Sequence, residues 1–256
     1  MFEAGKYDSW FLRNNYVLES EVLLLKYMLE PSPGRALSVG CGSGLFEFIL
    51  RTRYGIVISD CVEPSPAMAE VARARGLNVR IGYAEELPFE DSTFDTVILN
   101  GVLDYVKDDV KAVREAHRVL KPGGHVVVAD VIAEGSYGLL YKLAELLGSW
   151  DEQYIARVRS PNPYPIEYVR QARWHTVDEI RRLLEDAGFV IVKVAQTLTR
   201  HPRYSNESVE YQLMGMIGVT TWHSRDGNRT CNEYGDREYW WRQKLKTTKT
   251  NRAQYG

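Results

Sequence analysis

Cysteine is scarce in this 256-residue chain: three stand at 41, 61 and 231, with no CxxC pair. An odd count without paired spacing excludes a disulfide framework and a structural zinc site, so no metal is expected. Apolar runs are short, and none reaches the eighteen residues that a membrane span needs. The opening MFEAGKYDSW lacks a basic region followed by an apolar core, so the expected location is the cytoplasm. An excess of either charge is missing too, since the formal net charge is −2. That balance hides an asymmetry. Residues 225–256 hold eight Lys/Arg against four Asp/Glu, leaving twenty-four against thirty in the body. An acidic body does not suit a phosphate-backbone channel, so nucleic acid is not an expected partner. The basic tail places Tyr239, Trp240 and Trp241 beside Arg242, Lys244 and Lys246, and reads as a solvated end.

What is present is ordinary globular composition, 45% hydrophobic and 26% charged. Helical and strand patterns alternate, which predicts a parallel sheet covered by helices. Leu18, Val22, Leu25 and Leu29 predict a helix over 14–30, stopped by Pro31, Pro33 and Gly34. A short strand, Ala36–Val39, runs into Gly40-Cys41-Gly42-Ser43-Gly44 and a helix. A strand ending near Glu63 follows, then a helix opened by Ser65-Pro66 and stopped by Gly76. Strands are predicted at Val79–Ile81, Phe94–Leu99 and His125–Ile132, with a helix at Asp108–Leu120 closed by the turn Lys121-Pro122-Gly123-Gly124. Thr176 and Glu179 form a capping box for a helix ending at Gly188. Two more strands are predicted near Val190–Thr197 and Met214–Thr221.

Chemistry enters at the glycine loop. Glycines let the chain turn sharply and let a ligand approach the backbone. The spacing is GxGxG, with Leu45 where the dinucleotide fingerprint has its third glycine, and the Lys-Ser/Thr ending of a P-loop is absent. Glu63 follows Gly44 by nineteen residues at the end of the second strand. An acid there can accept both hydroxyls of a ribose.

ALSVGCGSG, CVEPSPAM, IGYAEELPFEDSTFDTVILNGVLDYV and REAHRVLKPGGHVVVAD together resemble the successive motifs of class I S-adenosylmethionine-dependent methyltransferases, small-molecule branch, quinone-biosynthesis type. The resemblance spans about 35–132 and resumes at 174–197. It implies a doubly wound, Rossmann-like, mostly parallel seven-stranded sheet with helices on both faces. The expected division is a methyltransferase domain over 1–224, carrying a helical lid insert at about 133–173, and the tail at 225–256. It implies S-adenosyl-L-methionine as cofactor and S-adenosyl-L-homocysteine as product. Gly40, Gly42 and Gly44 would pass beneath the methionine part. Glu63 would hold the ribose, Met68 would pack near the adenine, and Gly82-Tyr83-Ala84-Glu85 would flank it. Asn100 would sit beside the transferring methyl, and Tyr7 would fold over the cofactor.

Two positions depart from the family pattern: Ser38 replaces the first-strand Asp, and Tyr83 replaces the adenine-contacting Asp. A hydroxyl replaces a carboxylate's hydrogen bond but not its charge. No catalytic residue is identified. Displacement at a sulfonium needs alignment above all, and a base only where the acceptor must lose a proton. His175 is a candidate for touching substrate; His117 and His125 are expected to be structural, and His201 and His223 are assigned nothing. In the insert, Leu139, Leu140, Leu143, Leu146 and Leu147 form an apolar stripe, with Trp150, Tyr154, Tyr164, Tyr168 and Trp174 nearby. Part of this is expected to line an apolar or aromatic substrate pocket. A small, partly apolar acceptor is therefore expected; O-, N- and C-methylation are not separated, nor is an oligomeric state. A non-catalytic cofactor-binding module and a methyltransferase for RNA or protein are the alternatives. Asn100-Gly101-Val102-Leu103 is not the Pro-Pro-aromatic ending of many nucleic-acid amino-methylating enzymes, which weighs against the latter.

Overall fold

The computed structural model describes residues 4–198 and the backbone of 216–222, all within a unit spanning Met1–His223. The tail at 225–256, His201, His223 and Cys231 lie outside the described residues.

Five strands run parallel: β1 (Ala36–Val39), β2 (Asp60–Glu63), β3 (Asn78–Ile81), β4 (Phe94–Asn100) and β5 (Leu120–Val131). β7 (Met216–Trp222) pairs antiparallel with both β5 and β6 (Val190–Ala195). The order across the sheet is β3-β2-β1-β4-β5-β7-β6. The chain reverses sheet direction after β3, so a crevice opens where β1 and β4 lie side by side.

Helices cover the sheet: α1 (Ala4–Arg13), α2 (Asn15–Leu29), α3 (Leu45–Tyr54), α4 (Pro66–Ala74), α5 (Asp109–Val119), α6 (Ser136–Leu147), α7 (Ile166–Val169) and α8 (Val177–Asp186). Alternation along the strands feeds two cores. Ile98, Val127 and Ala129 pack with α2, α3 and α6, while Val97, Leu99, Val126 and Val128 pack with α5 and α8. Each fully buried Leu, Ile or Val contributes about 1.5–3 kcal/mol. The predicted capping box is present, with Thr176 accepting from the Glu179 amide and the Glu179 carboxylate accepting from Thr176.

Two expectations change. Lys121-Pro122-Gly123-Gly124 is not a turn outside the sheet but a bulge within β5. Phe94 pairs with Leu120 and Thr96 with His125, so the four residues bow out opposite Asp95, whose carboxylate accepts from Lys121 Nζ at 2.9 Å. In α6, Leu140 is the one buried member of the five-leucine stripe; Leu147 is half-buried, and Leu139, Leu143 and Leu146 are exposed. The buried face is instead Tyr137, Leu140, Tyr141 and Ala144, at three- and four-residue spacing. These side chains share one core with Trp10 and Val17 of α1 and α2. The insert thus contributes side chains to the domain's core. Gly138 fixes its approach, because a Cβ there would lie 2.0 Å from the Ile132 carbonyl oxygen.

Candidate functional site

A cavity of about 670 Å³ opens at the carboxyl ends of β1, β2 and β4. One end is built from backbone. Gly40, Gly42 and Gly44 all adopt positive φ (64°, 57° and 73°), which L side chains rarely tolerate. A side chain at Gly42 would enter the open cavity, its nearest neighbour being the Tyr7 ring at 3.9 Å. Gly44 serves packing instead, since its Cβ would meet Leu77 Cδ1 at 2.3 Å; the bare backbone lets α3 start close against the α4–β3 connection.

Glu63 ends β2 at the cavity wall. One carboxylate oxygen accepts from the Gly42 amide and the other from the Ser65 amide, each at 2.9 Å. Burial raises its pKa against these two hydrogen bonds. Each oxygen keeps a lone pair for a further donor. Met68, Tyr83, Ala84 and Glu85 line the same end. Glu85 Oε1 also accepts from the Lys107 amide at 2.9 Å, tying the loop after β3 to the loop after β4. Asn100 caps β4 at the cavity, and its buried Oδ1 has no hydrogen-bond partner among the described residues.

Ser38 and Gly44 do not line the cavity. Ser38 is buried beneath the loop and donates to Glu47 Oε1 at 2.6 Å. Glu47 belongs to α3, the first helix after the loop. Glu47 is buried, which raises its pKa, and its other oxygen has no partner among the described residues. A second feature escaped the sequence reading. Asp8 of α1 accepts from Ser43 Oγ in the loop and from Arg75 Nη2 after α4, and Arg75 Nη1 donates to the Ser43 carbonyl at 2.7 Å. This clasp holds α1, and with it Tyr7, over the glycine loop. Tyr7-Asp8 alone gave no signal of a partner sixty-seven residues away.

The other end of the cavity is aromatic. Trp10, Tyr141, Tyr164 and Trp174 line it, with Glu21 of α2 among them. Tyr141 lies 5.1 Å from Trp174 and 6.2 Å from Tyr164 between ring centroids, and Tyr164 lies 4.9 Å from Trp10. Trp10 Nε1 donates to the Pro163 carbonyl at 2.9 Å and Trp150 Nε1 to the Tyr164 carbonyl at 2.8 Å, which fixes the irregular 150–165 segment. Tyr154 points away and is exposed.

His175 is no substrate ligand. It is 1% exposed, with Nδ1 3.0 Å from Asp104 Oδ1 and Nε2 3.0 Å from Asp109 Oδ2. Desolvation lowers its pKa, but the two carboxylates outweigh that and the net shift is upward. The imidazole clamps the loop after β4 to the start of α5, and the His175 backbone carbonyl accepts from the Ala133 amide just beyond β5. His117 meets Phe189 edge-on and His125 sits in β5, and neither lines the cavity. Among the described residues no metal-binding cluster occurs, Cys41 and Cys61 are free thiols, and no helix is long and apolar enough to cross a membrane.

A mostly parallel sheet, a glycine loop after β1 and an acid ending β2 define a Rossmann-like methyltransferase fold. Residues 37–128 match the model of a methyltransferase domain. A crystal structure from Thermotoga maritima, described as a SAM-dependent methyltransferase and possible histamine N-methyltransferase, is 31% identical, covers 85% of this chain and 94% of that one, and superposes with a TM-score of 0.70. The demethylmenaquinone methyltransferase of Staphylococcus aureus is 31% identical over 179 residues, 62% of this chain and 69% of that protein. An uncharacterised protein of Methanocaldococcus jannaschii is 29% identical over 76% of this chain and 82% of its own length. The chain belongs to the S-adenosylmethionine-dependent methyltransferases, and is an enzyme of that family.

Proposed function

We propose that the chain transfers a methyl group from S-adenosyl-L-methionine to a small, partly apolar molecule, releasing S-adenosyl-L-homocysteine. The observation that carries this is one continuous cavity with a backbone cradle at one end and an aromatic chamber at the other. The residues fit the cofactor: the bare backbone at Gly42 faces open space, Glu63 presents spare lone pairs, and Asn100 carries an unpaired buried oxygen. In this reading Gly40 and Gly42 underlie the methionine part and Glu63 takes the ribose hydroxyls. Met68, Tyr83, Ala84 and Glu85 flank the adenine, and Asn100 and Tyr7 border the methyl. Ser38 and Gly44 act one layer beneath, Ser38 by orienting Glu47 and Gly44 by packing α3. The bound cofactor supplies an electrophilic methyl on a charged sulfur. The chain's part is to hold the acceptor in line and exclude water, effects that reach about 7–11 kcal/mol.

The finer architecture belongs to the same reading: a doubly wound seven-stranded core over 1–224, with 133–173 forming the acceptor side of the cavity. Calorimetry tests it. S-adenosyl-L-homocysteine binds, while NAD and ATP bind far more weakly. Incubation of the protein and the methyl donor with a metabolite extract then releases S-adenosyl-L-homocysteine. Absence of any binding rejects the proposal.

A further inference from the structure

Glu21 is the least expected residue in the molecule. It sits on the buried face of α2, between Leu18 and Leu25, where the helical period calls for an apolar side chain. It is 9% exposed and lines the cavity. Its surroundings are tyrosines: Tyr7 from α1, Tyr141 from α6 and Tyr164 from the 150–165 segment all feel its charge. Burial pushes its carboxyl up to about 8, and among the described residues no cation or hydrogen-bond donor opposes the rise. A lone carboxyl buried among rings costs stability. An occupant that brings a positive charge or a proton-sharing nitrogen removes that cost.

The walls favour the same occupant. Trp10, Tyr141, Tyr164 and Trp174 present ring surface, which attracts cations as well as apolar groups. Trp174 Nε1, in the same wall, is buried without a hydrogen-bond partner among the described residues.

Resting on the methyltransferase reading above, the geometry points to a small organic amine as the acceptor, its nitrogen set against Glu21 and its apolar body among the rings of Trp10, Tyr141, Tyr164 and Trp174. An ionised carboxylate pairs with the ammonium, or a protonated carboxyl with the free amine; either way one proton is shared by the pair. For transfer, that proton stays on Glu21. The nitrogen lone pair forms the new N–C bond, and the electrons of the broken S–C bond remain on sulfur. The methylated nitrogen, now cationic, then returns its proton to solvent.

The test uses the full chain saturated with S-adenosyl-L-homocysteine and two probes of matched shape, phenethylamine and 2-phenylethanol, titrated calorimetrically near neutral pH. The amine binds at least about tenfold more tightly, equivalent to 1.4 kcal/mol. Glu21→Gln keeps the shape, abolishes that preference and leaves S-adenosyl-L-homocysteine affinity within about twofold. Trp174→Leu, which keeps the carboxyl, weakens both probes together. Equal affinity of the two probes, no amine binding up to about 10 mM, or an intact preference in Glu21→Gln overturns the inference. Those results leave the methyltransferase reading standing, whereas failure of S-adenosyl-L-homocysteine to bind removes that reading first.

Discussion

The two ends of the cavity are made from different materials. The glycine-loop end is backbone and strand termini, drawn from consecutive βα units between 36 and 100. The aromatic end is side chains from α1, α2, α6 and the irregular 150–174 stretch, more than one hundred and fifty residues apart in places. A backbone cradle recognises a ligand that the whole family shares, because any side chain there would intrude. A side-chain chamber changes its chemistry with each substitution while the fold is kept. This separation predicts that damage at one end spares the other.

His175 clamps the loop after β4, whose Asp104 lines the cavity, to the start of α5, and its loss has the largest expected effect. His175→Ala leaves Asp104 and Asp109 buried around a void, and costs about 3–5 kcal/mol in urea unfolding. The sign of its pH dependence follows from the raised pKa. Folding favours the imidazolium, so the stabilisation is full below the ordinary value of 6.5 and is lost as pH rises through the elevated folded value. The stability gap between the native chain and the variant therefore narrows as pH climbs above 6.5. A gap constant from pH 5 to 9 would show that the histidine is a neutral spacer.

Gly42→Val comes next. It forces a branched side chain into positive φ and into the open cradle, lowering S-adenosyl-L-homocysteine affinity by about a hundredfold, or 2.7 kcal/mol. Stability falls as well, by about 1–2 kcal/mol, because positive φ strains a β-branched residue even though the nearest atom to the new Cβ is 3.9 Å away. Native-like affinity would reduce the loop to a simple turn. Glu63→Ala removes a charged acceptor and costs about 1.5–3 kcal/mol of cofactor affinity, measured by the same calorimetry. An unchanged value there would break the assignment of the ribose contact. The smallest effect is at the opposite end. Trp10→Phe deletes the Nε1 hydrogen bonds to the Asn162 and Pro163 carbonyls at 3.2 and 2.9 Å, costing about 1 kcal/mol of stability without altering cofactor affinity. A fall in cofactor affinity would mean that the two ends are coupled through α1.

The glycine-loop end of the cavity was readable because its requirements are local. Positive φ asks for glycine, and an acid at a fixed distance along a βα unit lands at a fixed place at the sheet's edge. The capping box of α8 and the break at Pro31 were readable for the same reason. Where sequence reasoning went astray, the deciding partner was remote. Lys121–Gly124 looks like a turn until Asp95 and the β4 register hold it in the sheet. The five leucines of the insert looked like one stripe, yet α6 turns its tyrosines inward because they meet Trp10, Trp150 and Trp174. Ser38 looked like a direct anchor until Glu47, nine residues on, took its hydroxyl.

Glu21 marks the boundary between the two kinds of information. A carboxylate stands on the apolar period of α2, three residues after Leu18 and four before Leu25, a local signal that the sequence reading did not single out. What it faces was not visible, because Tyr7, Tyr141 and Tyr164 come from three separate segments. By itself the sequence determined the sheet-and-helix alternation, the glycine loop and the acid at its side, since backbone sterics and short-range periodicity act on neighbours in the chain. Tertiary structure alone decided the aromatic chamber, the His175 clamp and the Asp8–Ser43–Arg75 clasp. Burial and charge pairing depend on which distant segments the packed cores bring within a few ångströms.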